Sequence, residues 1–297
     1  MNKCIIIPKI KSIEYDRTMK YIDYQNEKIS SYGLGTTGFW SGKNPGLHEC
    51  IITAYNEYGM NLFDTAEMYG NGRCEAELGK ALKGISRENL FIVDKIHPDH
   101  ANVRDFDKSL SDSLTRLEMD YIDLYLLHWR EKVDLSFLVR AMHRAQKAGK
   151  IRYWGVSNFD INDLEDLFEK GGDDCFCNQI FYTLFERGAE AGLLPLMKKK
   201  GILPMSYSSL GSYYYSHPDI HRNHRIMSMC RKYGVSPEAC MLKMNEEAGF
   251  AALFSTSSLS HLRNNLQELP DETYTAIKPV LDEEFPAPEH LYPLVKI

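Results

Sequence analysis

Three apolar runs end in an ionisable residue: Asn61-Leu-Phe-Asp64, Phe91-Ile-Val-Asp-Lys95 and Tyr121-Ile-Asp-Leu-Tyr-Leu-Leu-His128. Each run is typical of a strand of parallel sheet, which is buried on both faces and therefore almost wholly apolar. An ionisable group at the end of such a strand projects past the core into the mouth of a barrel. Several of them in a row, with Tyr69 shortly after the first, predict a site where chemistry takes place.

Outward from these runs, strand-like and helix-like segments alternate along most of the chain. The predicted strands are 30–35, 61–63, 90–94, 121–127, 151–156, 175–178, 201–206 and 250–254. The predicted helices are 46–58, 74–82, 105–117, 134–148, 161–169, 191–199, 219–233 and 259–268. Eight such units favour an α/β fold of the closed (β/α)8 TIM-barrel type.

An open, doubly wound sheet stays open as an alternative from the pattern alone. Gly33, Gly35 and Gly38 have the spacing of a dinucleotide-binding turn. However, no helix starts there, and no acidic partner follows at the expected distance. These observations favour the closed barrel.

The chain length suits one large domain, because α/β barrels reach about this size as a single unit. We therefore interpret residues 1–297 as one domain, with the barrel over 31–270 and a C-terminal tail over 271–297. Residues 1–30 alternate apolar and polar around a turn at Asn26-Glu27. This pattern predicts an N-terminal β-hairpin that closes the bottom of the barrel.

Composition argues against several classes of protein. The net charge of -6 disfavours a nucleic-acid binder, which needs a basic surface to neutralise phosphates. The N-terminus has too short an apolar run for a signal peptide, and no window approaches a membrane helix. Seven cysteines in apolar surroundings predict reduced thiols, and Cys175 and Cys177 lack a second pair for a metal site. We expect a cytoplasmic protein with no metal, no membrane partner and no nucleic-acid partner.

Several segments carry a resemblance when they are taken together. The segments are Gly33-Leu-Gly-Thr36, Phe63-Asp-Thr-Ala-Glu-Met-Tyr-Gly-Asn71, Glu77-Leu-Gly79, Tyr121-Ile-Asp-Leu-Tyr-Leu-Leu-His-Trp129, Gly149-Lys-Ile-Arg-Tyr-Trp-Gly-Val-Ser-Asn158 and Ser206-Tyr-Ser-Ser-Leu-Gly211. In this order and spacing they resemble the aldo-keto reductase family, over about residues 17–270. The resemblance implies a barrel that reduces carbonyls with a nicotinamide cofactor. It also implies a catalytic tetrad of Asp64, Tyr69, Lys95 and His128.

The chemistry of these four residue types fits such a reaction. Hydride delivered to a carbonyl carbon leaves charge on the oxygen, which then needs a proton donor and hydrogen-bond donors. We expect Tyr69 to be the acid, with Lys95 lowering the pKa of its phenol by about 3 units from about 10. Asp64 would keep Lys95 charged. His128 would orient the substrate oxygen, beside an apolar wall formed by Trp129.

The resemblance also implies cofactor-binding residues at the strand ends. Ser157, Asn158 and Gln179 would hydrogen-bond the carboxamide, while Tyr207 would stack on the nicotinamide ring. Ser208, Leu210 and Ser212 would hold the pyrophosphate, and Asn265 would face the adenine. Gly35, Thr36, Thr37 and Asp64 would line the cofactor, with Thr37 in place of a frequent tryptophan. Trp40 would then line the substrate site.

The eighth strand departs from the family pattern. Relatives that prefer NADP place a lysine or arginine against its extra phosphate. The positions that usually supply it are here Ser255, Ser257 and His261, and none of them carries a permanent cation. Thr256, between the two serines, would also bind the cofactor. Hydrogen bonds that involve an ionised group are roughly twice as strong as neutral ones, and a lysine or arginine adds the attraction between opposite charges. The resemblance implies NADP(H), while the missing cation leaves NAD(H) or dual use open. Arg263 lies on the same predicted helix, but at a position that should point away from the phosphate.

Two other functions stay open. A lysine at a strand end, such as Lys95, could form a Schiff base in an aldolase, although Asp64 would disfavour this by holding it protonated. A non-catalytic barrel that binds nucleotide and regulates a partner is the other alternative, and the complete tetrad disfavours it. The sequence predicts a small carbonyl compound as substrate and leaves the oligomeric state unknown.

Overall fold

Eight parallel strands close into a barrel in the computed structural model, which describes residues 19–39, 45–211, 216–290 and 293–296. The strands of the described residues are β1 (Tyr21–Tyr24), β2 (Glu27–Ser30), β3 (Tyr32–Gly35), β4 (Leu62–Asp64), β5 (Phe91–Ile96), β6 (Ile122–Leu127), β7 (Ile151–Ser157), β8 (Cys177–Phe181), β9 (Leu203–Tyr207) and β10 (Ala251–Phe254). β3 to β10 follow one another around the barrel in chain order, and β10 pairs with β3 to close it. The predicted (β/α)8 fold is confirmed.

Helices cover the outside of the barrel. Their bounds are α1 (Pro45–Tyr58), α2 (Arg73–Ala81), α3 (Phe106–Leu117), α4 (Leu135–Lys147), α5 (Ile161–Glu169), α6 (Leu193–Lys200), α7 (His224–Tyr233), α8 (Pro237–Ala248), α9 (Leu259–Asn265) and α10 (Asp271–Glu284). Most coincide with the predicted helices within a few residues. The exception is the segment 219–233, where a short 3-10 turn comes first and α7 begins after Asn223, whose side chain caps it.

Two helices, α8 and α10, were not predicted from the sequence. α8 lies between α7 and β10, so two helices follow β9 where the repeating unit predicted one. Its start carries a readable signal, because the Ser236 hydroxyl accepts the amide of Ala239 and Pro237 occupies the first turn. α10 occupies part of the segment interpreted as a tail, and it packs against α7 and α8. The C-terminal segment therefore contributes to the helical layer.

The predicted N-terminal hairpin is present over residues 21–30 and covers the bottom of the barrel, while residues 1–18 of the predicted segment lie outside the described residues. β1 and β2 pair in antiparallel fashion through a two-residue turn in which Gln25 and Asn26 both have positive φ, as a type I′ turn requires. Ile29 is fully buried among the residues that fill the barrel interior. The ring of Tyr24 meets Phe176 edge-on at 4.9 Å, and the Tyr24 hydroxyl donates to the carbonyl of Gly201.

Alternation along the strands places the polar residues in the uppermost layer of the interior. In β5, Phe91 and Val93 belong to the apolar cluster inside the barrel, whereas Ile92 belongs to the layer outside it. Side chains two residues apart share a face, so Lys95 continues the inward row. Leu124 and Leu126 lead to His128 in the same way. The barrel is thus apolar below and polar at its mouth.

The described part of the chain contains six cysteines, all of them buried and free of disulfides. It contains no cluster of three or more His, Cys, Asp or Glu side chains arranged to hold a metal ion. Among the helices described above, none is long and apolar enough to cross a membrane.

Candidate active site

Asp64 and Lys95 form a buried ion pair at the mouth of the barrel. Nζ of Lys95 donates to both carboxylate oxygens of Asp64, at 2.6 and 2.7 Å, and to the carbonyl of Thr65 at 2.9 Å. Lys95 is completely buried, and its three donors have three acceptors. Burial lowers the pKa of this lysine, but Asp64 more than offsets the effect, so the pKa lies above its ordinary value. Lys95 is therefore a fixed positive charge.

Gln179 completes the surroundings of Asp64 from the opposite side of the barrel. Its Nε2 donates to Oδ2 of Asp64 at 2.9 Å, and it lies 3.2 Å from the sulfur of Met205. The sixth predicted strand ends at residue 178, but the corresponding strand β8 continues to Phe181. Gln179 is therefore an inward-facing residue of the strand rather than a residue of the following loop.

Tyr69 lies above Lys95, in the loop that joins β4 to α2. Its backbone N–H donates to the carbonyl of Ala66 at 2.9 Å, which turns the chain back over the mouth of the barrel. Nζ of Lys95 is 5.1 Å from the centre of the Tyr69 ring. The ring also meets His128 edge-on, with centroids 5.6 Å apart. The four residues of the predicted tetrad are thus brought together.

The expected lowering of the pKa of Tyr69 is wrong. Burial raises the pKa of the Tyr69 phenol above its ordinary value, and this effect exceeds the lowering by the charge and hydrogen bond of Lys95. The charge of Lys95 alone would lower this pKa, but forming a phenolate away from water costs more free energy than that charge returns. Tyr69 is consequently a fully protonated phenol at neutral pH.

His128 is a neutral imidazole. Burial, together with the nearby charge of Lys95, lowers its pKa well below the ordinary value. Its Nδ1 is buried without a hydrogen-bond partner among the described residues. A buried polar atom without a partner costs free energy, so it marks a place where a ligand can restore a hydrogen bond.

Trp129 forms one wall of the site beside His128. Its ring lies 4.8 Å from that of His128, and His97 meets it edge-on at the same distance from the other side. The indole N–H donates to Glu131 at 2.6 Å. The orientation of this aromatic wall is therefore fixed by three neighbours.

A second group of predicted residues lies at the ends of β7, β8 and β9. The Tyr207 hydroxyl donates to the amide oxygen of Asn158 at 2.8 Å, and the amide nitrogen of Asn158 donates to the carbonyl of His128 at 3.2 Å. Asn158 has a φ of 60°, a conformation that asparagine tolerates better than most residues. The hydroxyl of Ser157 donates to the carbonyl of Gln179 at 2.8 Å. These bonds join the cofactor side of the site to the histidine.

A cavity of about 220 Å³ opens between these two groups. Its walls include Asp64 and Tyr69 of the tetrad and Tyr207 from β9. The other predicted cofactor residues along it are Gly35, Thr37, Ser208, Leu210 and Ser255. Thr36 is buried next to it, donates its backbone N–H to the carbonyl of Asp64, and has a hydroxyl without a partner among the described residues.

The loop after β10 uses several of its predicted residues for local structure. The hydroxyl of Ser255 donates to the carbonyl of Gly35 at 2.7 Å, and that of Thr256 accepts the amide of Ser258 at 3.2 Å. Ser257 and His261 are exposed. Nη2 of Arg263 lies 4.0 Å from a carboxylate oxygen of Glu57 in α1, and both side chains are exposed.

Some predicted residues do not line the cavity. Among them are residues that lie at the same mouth of the barrel, namely Lys95, His128, Trp129, Ser157, Asn158 and Gln179. Asn265 is buried and lines a different cleft, with Tyr58 and Lys243. Trp40 and Ser212 lie outside the described residues. Asn178 was left out of the predicted site as a helix cap, but it caps no helix: its side chain bonds to both backbone groups of Phe159, in the loop before α5, whose N-cap is Asp160.

Glu67, which lies between Asp64 and Tyr69 in the same loop, was not among the residues predicted for the site. Its buried carboxylate bonds to the segment that follows β5. The available signal was its place in the segment Phe63–Asn71, where an acidic residue stands between Ala66 and Met68. Nothing in the strand pattern, however, indicates the distant residues that it contacts.

Comparison with known proteins agrees with this geometry. Residues 32–282 match the model of the Aldo/keto reductase family. A methylglyoxal reductase of Escherichia coli (strain K12) is 32% identical over 275 residues, which is 91% of this chain and 96% of that protein. An NAD/NADP-dependent indole-3-acetaldehyde reductase of Schizosaccharomyces pombe is 30% identical, over 86% of this chain and 89% of its own length.

Among solved structures, an aldo-keto reductase from Klebsiella pneumoniae in complex with NADPH superposes with a TM-score of 0.84. It is 28% identical, and the match covers 94% of this chain and 99% of that chain. Fold, site geometry and sequence thus agree, and this chain belongs to the aldo-keto reductase family.

Proposed function

We propose that this chain reduces the carbonyl group of small aldehydes or ketones, with a nicotinamide cofactor as the source of hydride and Tyr69 as the proton donor. One observation carries the proposal: a protonated phenol lies beside a buried lysine whose charge is held by a carboxylate. Such a group can give up its proton only when a strong acceptor, such as a carbonyl oxygen that has gained negative charge, comes close.

The residues of the chain have separate parts in the proton transfer. Tyr69 donates its hydroxyl proton to the substrate oxygen, and the product is an alcohol. The phenolate that remains lies close to the ammonium group of Lys95, which stabilises it by charge. Asp64 keeps that ammonium protonated, and Tyr69 then regains a proton from solvent. No net change remains in the protein after a turnover.

His128 and Trp129 orient the substrate. The neutral imidazole of His128 offers a ring N–H to the same carbonyl oxygen, and its lowered pKa prevents it from competing with Tyr69 as the acid. Trp129 covers the apolar part of the substrate and limits the access of water. Relatives that are named as reductases of methylglyoxal and of indole-3-acetaldehyde support aldehydes as the substrate class.

The residues of the mouth fit a nicotinamide cofactor. The buried hydroxyl of Thr36 has no partner among the described residues, and its neighbours Gly35 and Thr37 line a cavity that also offers the ring of Tyr207. Ser157, Asn158 and Gln179 present side-chain amides and a hydroxyl for a carboxamide, and Ser208 and Leu210 lie where a pyrophosphate would follow. When bound there, the reduced cofactor supplies the hydride that adds to the carbonyl carbon.

We propose NADP(H) as the cofactor, with NAD(H) used at a comparable level. The similarity to an NADPH complex supports the first part. The second part follows from Ser255, Ser257 and His261, since none of them carries a permanent cation, and Arg263 faces Glu57. A 2′-phosphate at this position gains little charge-assisted bonding, so its presence or absence has a small effect on affinity. Six buried thiols support a reducing, cytoplasmic location.

The test is turnover of the purified chain with methylglyoxal, followed by cofactor absorbance with NADPH and NADH side by side. We expect oxidation of both cofactors, with values of kcat/KM that differ by less than about tenfold, or about 1.4 kcal/mol. The absence of turnover with both cofactors and a panel of aldehydes would contradict the proposal. Trapping of the substrate on Lys95 by borohydride would instead support the aldolase alternative.

A further inference from the structure

The carboxylate of Glu67 makes several hydrogen bonds near the site, although Glu67 takes no part in the proton transfer itself. Its side chain is buried in the loop between β4 and α2. Oε1 accepts the backbone N–H of His97 at 2.5 Å and lies 3.0 Å from Nδ1 of His100. Oε2 accepts the hydroxyl of Ser109, which belongs to α3. One carboxylate thus joins three separate segments of the chain.

The backbone around Glu67 follows β5 beyond the end of β4. The N–H of Thr65 donates to the carbonyl of Val93 at 2.9 Å, and the N–H of Glu67 donates to the carbonyl of Lys95 at 3.2 Å. At His97, the side chain of Glu67 accepts the amide that a backbone carbonyl would accept in a longer strand. The chain then turns and places Tyr69 over Lys95.

The same carboxylate also supports the other side of the site. His97 begins the segment that leaves β5, and its ring packs edge-on against Trp129. The position of the His97 backbone therefore determines how the aromatic wall next to His128 is supported. Glu67 is connected both to the loop of the proton donor and to the wall that faces the substrate.

We propose that Glu67 is a positioning residue that sets the distance of the Tyr69 hydroxyl from the substrate oxygen. It touches neither substrate nor cofactor, and it acts through the loop 65–69 and through His97. The inference rests on the proposed reduction, in which the alignment of Tyr69 limits the rate. A misplacement of about 1 Å at a reacting group can cost on the order of 10²-fold in rate.

Glu75 provides a matched control on the neighbouring helix. It is fully buried, and like Glu67 it bonds to α3, accepting Nε and Nη2 of Arg116 at 2.5 and 3.0 Å. It lies in α2, after the loop that carries Tyr69. Removal of either carboxylate takes a buried acid from the same region, but only Glu67 is bonded to the end of β5.

The experiment compares Glu67→Ala, Glu67→Gln and Glu75→Ala with the wild type. For Glu67→Ala we expect kcat to fall on the order of 10²-fold, with a larger primary isotope effect from 4-deuterated NADPH, while the Kd of NADPH stays unchanged. Glu67→Gln should keep most of kcat, because its amide oxygen can still accept the His97 N–H. Glu75→Ala should lower the melting temperature and leave kcat near the wild-type value.

Three results would overturn the inference: a kcat of Glu67→Ala within threefold of the wild type, an equal loss in Glu75→Ala, or a parallel loss of NADPH binding. If Glu67→Ala gives no cooperative melting transition, Ser109→Ala is tested in its place, because it removes one hydrogen bond to Glu67. The inference then requires that the kcat of Ser109→Ala be lower than the kcat of Glu67→Gln. Equal values would reject the proposal.

A readout that does not depend on turnover separates this inference from the proposed function. The signal of Tyr69 in protein labelled with ¹³C-tyrosine can be assigned by its loss in Tyr69→Phe. It should move in Glu67→Ala and stay in place in Glu75→Ala. If the wild type reduced no aldehyde, the proposed reaction would fail, and this comparison would still decide whether Glu67 positions Tyr69.

Discussion

Both ends of the barrel bury an aspartate against cationic side chains, but the cations differ. At the bottom, Asp123 accepts Nη2 of Arg87 at 2.6 Å, Nη1 of Arg152 at 3.1 Å and the amide of Ile92 at 2.9 Å. At the mouth, Asp64 accepts Lys95 and Gln179. Arginine cannot lose its proton in a protein, whereas lysine, tyrosine and histidine can.

The surroundings reinforce this difference. Arg152 also bonds to Glu27 of the hairpin, so the charged groups at the bottom hold a structural cover in place. At the mouth, the ion pair lies below a phenol that lines an open cavity, and the ring of this phenol meets a neutral imidazole edge-on. A buried carboxylate therefore serves structure where its partners keep their protons, and chemistry where a neighbouring group can exchange one.

The largest expected effect is a loss of kcat from a substitution at the mouth of the barrel. Tyr69→Phe removes one oxygen atom and leaves the Asp64 and Lys95 pair intact. Because the phenol is the only proton donor proposed for the substrate oxygen, we expect kcat to fall by about 10²–10⁴-fold. Cofactor affinity and melting temperature should stay near their wild-type values, and Tyr153→Phe at the bottom is the control. If Tyr69→Phe kept the wild-type kcat, a group other than Tyr69 would have to be the acid.

The second prediction concerns the bottom. Asp123→Ala leaves the buried amide of Ile92 without an acceptor, while Arg87 and Arg152 are partly exposed and recover hydration. We expect a loss of about 3 kcal/mol in the free energy of unfolding, measured by denaturant titration. In the folded protein kcat should not change. A strong loss of kcat in fully folded Asp123→Ala would show that the bottom of the barrel also affects catalysis at the mouth.

The smallest effect concerns the pH dependence of stability. His128 is held neutral by burial, so its folded pKa lies below the 6.5 of an ordinary histidine. Below about that pH the unfolded chain binds a proton that the folded chain does not, and stability is lost as the pH falls. His128→Asn should remove up to about 1.4 kcal/mol per pH unit from this slope. Denaturant unfolding at several pH values between 7.5 and 5.5 measures it, and equal slopes would contradict the lowered pKa.

Much of the fold could be predicted because each barrel strand has a distinct apolar run with a polar end. α8 and α10 were missed because eight strand and helix units already completed the expected repeat. The repeat says nothing about extra helices between units, so only the local capping signal at Ser236 could have revealed α8. The end of β8 could not be predicted from the apolar pattern either, and Gln179 was therefore placed after the strand instead of within it.

The site could be predicted where chemistry coincides with strand ends, as at Asp64, Lys95 and His128. Glu67 was missed because its partners, His97 and Ser109, are 30 and 42 positions away and come close only in the folded chain. The direction of the Tyr69 pKa was wrong for a similar reason. The charge of Lys95 can be read from sequence, but the degree of burial around the phenol depends on the packing of several loops.

The hydrogen bond between Gln179 and Asp64 has a consequence for how this enzyme can diversify. It connects β8 with β4, which lie on opposite sides of the closed sheet. A replacement at Asp64 or Gln179 therefore alters the bracing of the barrel mouth together with the reaction. In a library randomised at these two positions, many variants will fail to fold, so fewer folded variants remain in which a new activity can arise. New substrate preferences are accordingly more accessible to mutation through the loops than through this pair.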